Sequence, residues 1–378
     1  MRSGMSEPEL ATGAGAVLRL RVADVVEETA EARSIVFDAD LDYRPGQFLT
    51  VRVPAADGGA VARCYSLSSS PLSGDRPQVT VKRDGYASNW LCDHVTAGDE
   101  LDVLAPSGVF TPADLDTDLA LFAGGSGITP ILSIATSVLD HGTGSVTLVY
   151  ANRDEASVIF AAHLRELEQA HPGRFTVVHW LESLQGLPTA ERLVPLAEPV
   201  ADRAAFVCGP TPYMRAVTDA LKAAGMPRSA IRKETFVSLG GNPFDHAAPA
   251  TPGAASEDPG DTEEATEATG PTDSGHAGDS AATSDPGAPA SVTVDLDGAT
   301  TTLAWARGAK LLDVLLDAGL DAPYSCREGQ CSACACRVTA GEVKMLDNEV
   351  LDSDDIAEGI VLACQSLPLT DDVSISYE

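Results

Sequence analysis

From Val17 to Gly108 apolar residues alternate with polar ones in short, β-branched runs: "VLRLRVADVV", "ARSIVFD", "QFLTVRV", "QVTVKR" and "DELDVLA". A period of two puts alternate side chains on one face, as in half-buried strands. The breaks "RPGQ", "AADGG" and "LSGDRP" carry turn residues, so the segment predicts an antiparallel barrel of about six strands. One short helix, Ser88 to Val95, interrupts it.

At Ala120 the pattern changes. "LALFAGGSGITPILSIATSVLDHG" reads as a buried strand, a glycine turn and a helix, and "SVTLVYANR", "SVIFAAHLRELEQAH" and "FTVVHWLES" continue the alternation. "AAFVCGPTPYMRAVTDALKAAG" repeats strand, turn and helix, and "IRKETFVSL" closes the set. Continuous apolar strands alternating with amphipathic helices predict a doubly wound parallel α/β sheet.

After Leu239 both periods vanish. Pro243 to Ala290 is mostly Ala, Pro, Gly, Ser and Thr, with ten acidic residues and no Lys or Arg, which is too little apolar content for a core. It predicts a disordered acidic tether whose random-coil span is about 35 to 40 Å. From Ser291 the period of two returns in a hairpin, "SVTVDLDGATTTLAWA". A helix "KLLDVLLDAGL" stopped by Gly319, a strand "CRVTAGEV", an acidic helical turn near "LDSDDIAEG", a strand carrying Cys364 and a last strand "VSISYE" then give an α+β, β-grasp outline. The expected division is a disordered start (1–14), a β-barrel (15–113), an α/β domain (114–242), the tether (243–290) and the β-grasp domain (291–378).

Composition narrows the functions open to 378 residues. A formal charge of −31 excludes nucleic acid and anionic membrane as partners, because both require Lys and Arg. No 18-residue apolar run is present and the N-terminal stretch has no hydrophobic segment, so the expected location is the cytoplasm; eight cysteines then imply a reducing compartment. Sixteen acids against five bases in 291–378 leave that domain at about −11, a candidate docking face for a basic partner.

The chemistry concentrates in "YSCREGQCSACAC". Cys326, Cys331 and Cys334 stand at C-x4-C-x2-C spacing, and Cys364 follows after 29 further residues, the plant-type arrangement of thiolates around a 2Fe-2S cluster. Zinc knots favour two C-x2-C pairs, so zinc is the lesser reading. Cys336 falls outside the spacing and is expected to pack. Within the barrel, "RCYS" places Arg63, Tyr65 and Ser66 at a strand end, and "VKRDGYAS" brings Gly85 and Ser88 to a helix mouth. A cation, a hydroxyl and free N–H groups suit an anionic dinucleotide, and a tyrosine face suits a flat heterocycle. The turn Gly124-Gly125-Ser126-Gly127, with Thr129 and Pro130 after it, and the later turn Cys208-Gly209-Pro210 lie where open α/β sheets bind ligands. For Cys208 the residues leave two readings open, a buried small hydrophobe or a group facing the ligand.

"RCYS", "GYAS", "GGSGITP", "CGP" and "CREGQCSAC", in that order, resemble the ferredoxin-NADP reductase superfamily in the layout of oxygenase reductases: FAD barrel, nicotinamide domain, plant-type ferredoxin. "ARCYSLSSSP", "GYASNWLCDH", "HWLESLQGLP" and "KLLDVLLDAGLDAPYSCREG" are similar to the reductase components of actinobacterial 3-ketosteroid 9α-hydroxylases. The resemblance implies that Arg63 holds the FAD pyrophosphate, Tyr65 stacks on the isoalloxazine and Ser66 lies near its N5. Cys64, Val81, Lys82, Gly85, Ala87 and Ser88 complete that expected site. Gly124, Gly125, Ser126, Gly127 and Thr129 would face the nicotinamide dinucleotide, with Cys208, Gly209 and Pro210 at its ring. Glu234 and Phe236 match the Glu-x-Phe of the family's closing strand, although Lys233 and Thr235 depart from its pattern. Ser66, Cys208 and Glu234 are the expected catalytic residues. Cys326 and Cys331 would bind one iron, Cys334 and Cys364 the other.

The implied function is a conversion of electron number: a hydride, two electrons at once, enters from NADH at FAD, and single electrons leave through the cluster. Plant-type clusters lie near about −400 mV and Rieske centres at about −150 mV or above, so a Rieske non-haem iron oxygenase is the expected acceptor. Its substrate is expected to be a 3-ketosteroid. The alternatives are the reductase of an aromatic-ring or phenylacetyl-CoA oxygenase, or a zinc-binding or electron-carrier module without reductase activity. Arg153 could meet the 2′-phosphate of NADPH, but the acids Asp154 and Glu155 beside it favour NADH.

Overall fold

A computed structural model describes residues 17–55, 58–236, 239, 242–245, 289–296 and 298–377. The expected disordered start and the expected tether from 246 to 288 lie outside the described residues. Three domains follow the order read from the sequence.

The first is a six-stranded antiparallel barrel of β1 (Val17–Thr29), β2 (Ala32–Phe37), β3 (Phe48–Pro54), β4 (Ala60–Ser66), β5 (Gln78–Lys82) and β6 (Glu100–Ser107), in the order β4-β3-β6-β1-β2-β5. Alternation drives it: Leu18, Leu20 and Val22 turn inward from β1 while Arg19 and Arg21 remain at the surface. Leu49, Val51 and Val53 of β3 fill the same core with Val79 and Val81 of β5. The helix α1 (Tyr86–His94) begins two residues earlier than expected. Gly85, at φ 93°, takes the N-cap position, and the Ser88 hydroxyl folds back to accept the Asp84 N–H at 2.7 Å and donate to the Gly85 carbonyl at 3.2 Å. Ser88 is thus in the first turn rather than at the cap.

The second domain is a parallel sheet, β11-β10-β7-β8-β9, formed by β7 (Leu119–Gly124), β8 (Val146–Asn152), β9 (Phe175–Leu181), β10 (Ala204–Cys208) and β11 (Ile231–Glu234). The helix α2 (Ile128–His141) is buried almost all round because it lies between sheet and barrel, where Ser133 donates to the Ser69 carbonyl at 2.6 Å. The helix α3 (Ala161–Ala170) shares that face, while α5 (Ala190–Ala197), after the single turn α4 (Glu182–Gln185), covers the other with α6 (Thr211–Ala223). The chain reverses direction across the sheet between β7 and β10, and their carboxyl ends form the ligand edge.

The third domain opens with the hairpin β12 (Ala290–Leu296) and β13 (Ala299–Trp305), crossed by α7 (Leu311–Asp317), which ends before Gly319 at φ 75°. The expected strand "CRVTAGEV" is broken into β14 (Ala335–Ala340) and β15 (Val343–Met345). Gly341, at φ 81° with no room for a Cβ beside the Asp372 carbonyl, turns the chain between them. After α8 (Ser353–Ala357) come β16 (Ile360–Leu362), β17 (Ser366–Pro368) and β18 (Asp372–Ser376). Cys364 is not in a strand as expected but in the 3-10 turn Ala363–Gln365 between β16 and β17. Two ends of the expected tether are ordered: Pro243–Asp245 forms a 3-10 turn, and Ala290 is the first residue of β12. Among the described residues no helix is long and apolar enough to cross a membrane.

Candidate functional site

The cluster loop is shaped by its backbone. Arg327 (φ 60°), Gly329 (φ 78°) and Ser332 (φ 53°) adopt left-handed conformations, which coil the chain so that N–H groups point inward. The N–H of Cys326 lies 3.3 Å from Cys331 Sγ, those of Glu328 and Gln330 lie 3.4 and 3.3 Å from Cys326 Sγ, and that of Cys364 lies 3.5 Å from Cys334 Sγ. All four thiols are buried. Hydrogen bonds from the Cys331 and Cys364 thiols, helped by the backbone N–H groups of Glu328 and Gln330, hold the Cys326 thiol below its ordinary range. Four buried thiols in a loop lined with N–H donors are a donor set whose chemistry fits a 2Fe-2S cluster. Gln365 closes the loop by donating to the Arg327 carbonyl at 2.9 Å, and Arg327 pairs with Asp313 of α7. Cys336 is buried in the domain core near Tyr377, where desolvation raises its thiol, so it packs as expected.

The barrel offers two faces at its edge strand. In the register of β3 and β4, Phe48 opposes Ser66, Thr50 opposes Cys64 and Leu49 opposes Tyr65. Arg63 and Tyr65 therefore face one way, and Cys64 and Ser66 the other. Arg63 donates to the Leu239 carbonyl at 3.3 Å, and burial raises the Tyr65 hydroxyl above its ordinary range. Val81 lies within the barrel core, whereas the Lys82 ammonium extends to the glycine turn, 3.7 Å from where a Cβ on Gly125 would stand. Gly85, Ala87 and Ser88 form the mouth of α1.

At the sheet edge the glycines serve each other first. A Cβ on Gly127 would stand 2.2 Å from the Cys208 carbonyl oxygen, one on Gly124 would stand 2.8 Å from the Tyr213 ring, and one on Gly209 would stand 3.0 Å from Gly124. The two turns are interlocked, a packing demand that accounts for three glycines before any ligand is considered. Gly125 differs: it has φ 55°, and its carbonyl accepts from the Tyr150 hydroxyl at 3.1 Å. The Thr129 hydroxyl donates to the Ser126 carbonyl at 3.1 Å, and Pro210 occupies the N-cap position of α6. Cys208 is fully buried opposite Glu234 in the β10–β11 register. Desolvation, then the nearby Glu234 charge, raises its thiol well above the usual range, and burial pushes Glu234 up to about 8. Arg153 pairs with Glu31 of the barrel at 2.5 Å, and the Asp154 carboxylate caps the 3-10 turn Glu155–Ser157.

The domains converge on one small cleft. Its walls are Phe48, Cys64 and Ser66 of the barrel, Glu234, Thr235 and Phe236 after the parallel sheet, and Gln330 and Cys331 of the cluster loop. Behind it Phe48, Ala62, Leu239, Cys326, Cys331 and Ala333 form a shared apolar core, with Phe244 packed against it. No local pattern announces this convergence, because the parts lie far apart in sequence.

A second contact holds the third domain in place. Lys222 pairs with Asp354 at 2.7 Å, Arg228 with Asp355, and Lys233 with Asp352, the N-cap of α8. Burial works to raise the Asp352 carboxyl, but the Lys233 bond, the Asp355 N–H and the Arg228 charge bring it down to about 2. Part of the acidic surface expected to meet a basic partner thus already meets bases of the same chain. Lys233, which departs from the family's pattern in the closing strand, is one of them.

Family models for an oxidoreductase FAD-binding domain, an oxidoreductase NAD-binding domain and a 2Fe-2S iron-sulfur cluster binding domain match residues 23–111, 121–219 and 294–369. The "3-ketosteroid-9-alpha-monooxygenase, ferredoxin reductase component" of Mycolicibacterium smegmatis is 55% identical over 373 residues, covering 96% of this chain and 97% of that protein. The protein of the same name from Rhodococcus rhodochrous is 48% identical over 381 residues, covering 99% and 100%. Among solved structures, phthalate dioxygenase reductase shares the fold, with a TM-score of 0.53 at 23% identity over 95% of this chain and 98% of that one.

Proposed function

Since this chain belongs to the family of ferredoxin reductase components of 3-ketosteroid 9α-monooxygenases, we propose that it supplies single electrons from NADH to a Rieske-type oxygenase component that hydroxylates a 3-ketosteroid. It is an FAD-, NAD- and 2Fe-2S-binding oxidoreductase. When bound, FAD would supply the conversion of one hydride, two electrons at once, into single electrons, and the cluster would carry one at a time.

The observation that carries the reading is the three-walled cleft. Ser66 from the flavin strand, Glu234 and Phe236 from the nicotinamide side and Cys331 from the cluster loop line the same space, so donor, converter and carrier sites adjoin. In our assignment Arg63 and the mouth of α1 hold the FAD phosphates, and Tyr65 lies along the ring. Gly125, Lys82 and the Cys208-Gly209-Pro210 turn receive the dinucleotide. Glu234, with its carboxyl raised by burial, keeps its proton at neutral pH and can offer it as a hydrogen-bond donor at the hydride face. The apolar core behind the cleft excludes water from the path between barrel and cluster loop. Cys326, Cys331, Cys334 and Cys364 hold the two irons.

Passage from a plant-type cluster near about −400 mV to a Rieske centre at about −150 mV or above is downhill by roughly 250 mV, about four decades in equilibrium. Arg153 is held by Glu31 and flanked by Asp154 and Glu155, which supports NADH over NADPH. Anaerobic protein should contain two irons and two acid-labile sulfides per FAD and, with NADH and a purified Rieske oxygenase, convert a 3-ketosteroid to its hydroxylated product. Absence of iron and sulfide would overturn the relay, and failure with steroid but success with another oxygenase would overturn the substrate.

A further inference from the structure

The barrel and the cluster loop are joined by a buried hydroxyl pair. Thr50 Oγ1 lies 2.6 Å from Ser325 Oγ, and each residue is 1% exposed. Thr50 also lies 3.4 Å from Cys64 Sγ, while Ser107 Oγ donates to the Tyr324 carbonyl at 3.4 Å. Cys64, Thr50 and Ser107 belong to β4, β3 and β6, three adjacent strands, and together they grip Tyr324 and Ser325, the two residues before Cys326.

The packed core of this interface is apolar, and apolar burial has no preferred direction. A hydroxyl in such a place is costly unless it is paired, and pairing is satisfied only in one register. The two residues are 275 positions apart, so the bond adds nothing to the local fold of either domain. Its effect is to set where one domain sits on the other. The ion pairs at α8 are partly solvated and attract over several ångströms, which draws the domains together without fixing the last ångström.

We propose that Thr50 and Ser325 are positioning residues: their hydrogen bond seats the cluster loop on the flavin strands and thereby sets the rate of single-electron transfer from FAD to the cluster, leaving hydride transfer alone. The inference rests on the relay described above. In the step concerned, reduced FAD is oxidised by one electron and the cluster is reduced by that electron; no bond between heavy atoms forms or breaks. Tunnelling falls steeply with separation, so loss of the registry is felt in the rate even when both groups remain bound.

The test uses full-length holoprotein in anaerobic stopped flow against NADH, following flavin and cluster bleaching separately, in Thr50→Val, Ser325→Ala and the double variant. Flavin bleaching should be unchanged, and cluster bleaching should slow about tenfold in each single variant. The double variant should be no slower than the singles, since both remove one bond. The cluster midpoint potential should stay constant, and amide exchange across 324–331 should quicken in each variant, with or without NADH. Thr50→Ser, which keeps the hydroxyl, should transfer at the wild-type rate and serves if the valine variant assembles poorly. Unchanged cluster bleaching with normal flavin reduction would overturn the positioning role alone, as would additive effects or a potential shift large enough to explain the slowing. Loss of flavin reduction in the wild type would instead overturn the relay.

Discussion

Lys233, in the closing strand of the nicotinamide sheet, is ion-paired with Asp352, the N-cap of helix α8 in the ferredoxin domain. One carboxylate thus starts a helix and ties two domains together. Arg228 and Lys222 extend the contact to Asp355 and Asp354.

Reversing charge at this contact should slow cluster reduction without affecting flavin reduction. Lys233→Glu with Arg228→Glu is expected to lower the flavin-to-cluster rate about three- to tenfold at low salt, and Asp352→Lys with Asp355→Arg in the same protein should recover most of it. In the wild type, raising the salt concentration several-fold should reproduce part of the loss. Stopped-flow cluster bleaching reads all three, and a salt-independent rate in the wild type would remove the contact from the docking step.

Glu234 should make stability fall with rising pH. Its folded value of about 8 lies above the ordinary 4.5, so between these limits the folded state holds a proton that the unfolded state has released. The stability tied to that proton is fully present below about 4.5 and is lost as pH rises toward 8, with a slope of up to about 1.4 kcal/mol per pH unit. Glu234→Gln should flatten that difference when the two proteins are compared by denaturant unfolding from pH 5 to 8. Parallel profiles would show that Glu234 ionises freely in the folded protein.

Two glycine substitutions should separate crowding from strain. Gly127→Ala sets a methyl 2.2 Å from the Cys208 carbonyl oxygen and should cost about 3 kcal/mol or more, with loss of NADH-driven flavin reduction. Gly85→Ala meets nothing within 4 Å and bears only the strain of a backbone at φ 93° and ψ −171°, a region essentially reserved for glycine, about 1 to 3 kcal/mol. Melting temperatures of the two variants give the comparison, and equal losses would contradict it.

Replacing Cys208 by Ala should slow hydride transfer to FAD several-fold while the cluster spectrum remains intact, because the thiol sits opposite Glu234 and far in sequence from Cys326, Cys331, Cys334 and Cys364. Cys364→Ser should do the reverse, removing the cluster signal while FAD is still reduced by NADH. Visible and paramagnetic resonance spectra of the two proteins distinguish these outcomes. Unchanged flavin reduction in the alanine variant would leave Cys208 as packing alone.

What the sequence determined by itself is everything that depends on near neighbours along the chain. Periods of two and of 3.6 specified the strands and helices, and the spacing of Cys326, Cys331 and Cys334 specified a cluster loop, because ligand geometry over a few residues is set by backbone reach. Local reading erred where a distant atom intervened: Gly341 breaks an expected strand against Asp372, and Cys364 sits in a turn shaped by the loop it closes. Tertiary structure alone decided that Thr50 meets Ser325, that Lys233 meets Asp352, and that Ser66, Glu234 and Cys331 share one cleft. Those residues lie far apart along the chain, and only the packing of one domain core on another brings them together.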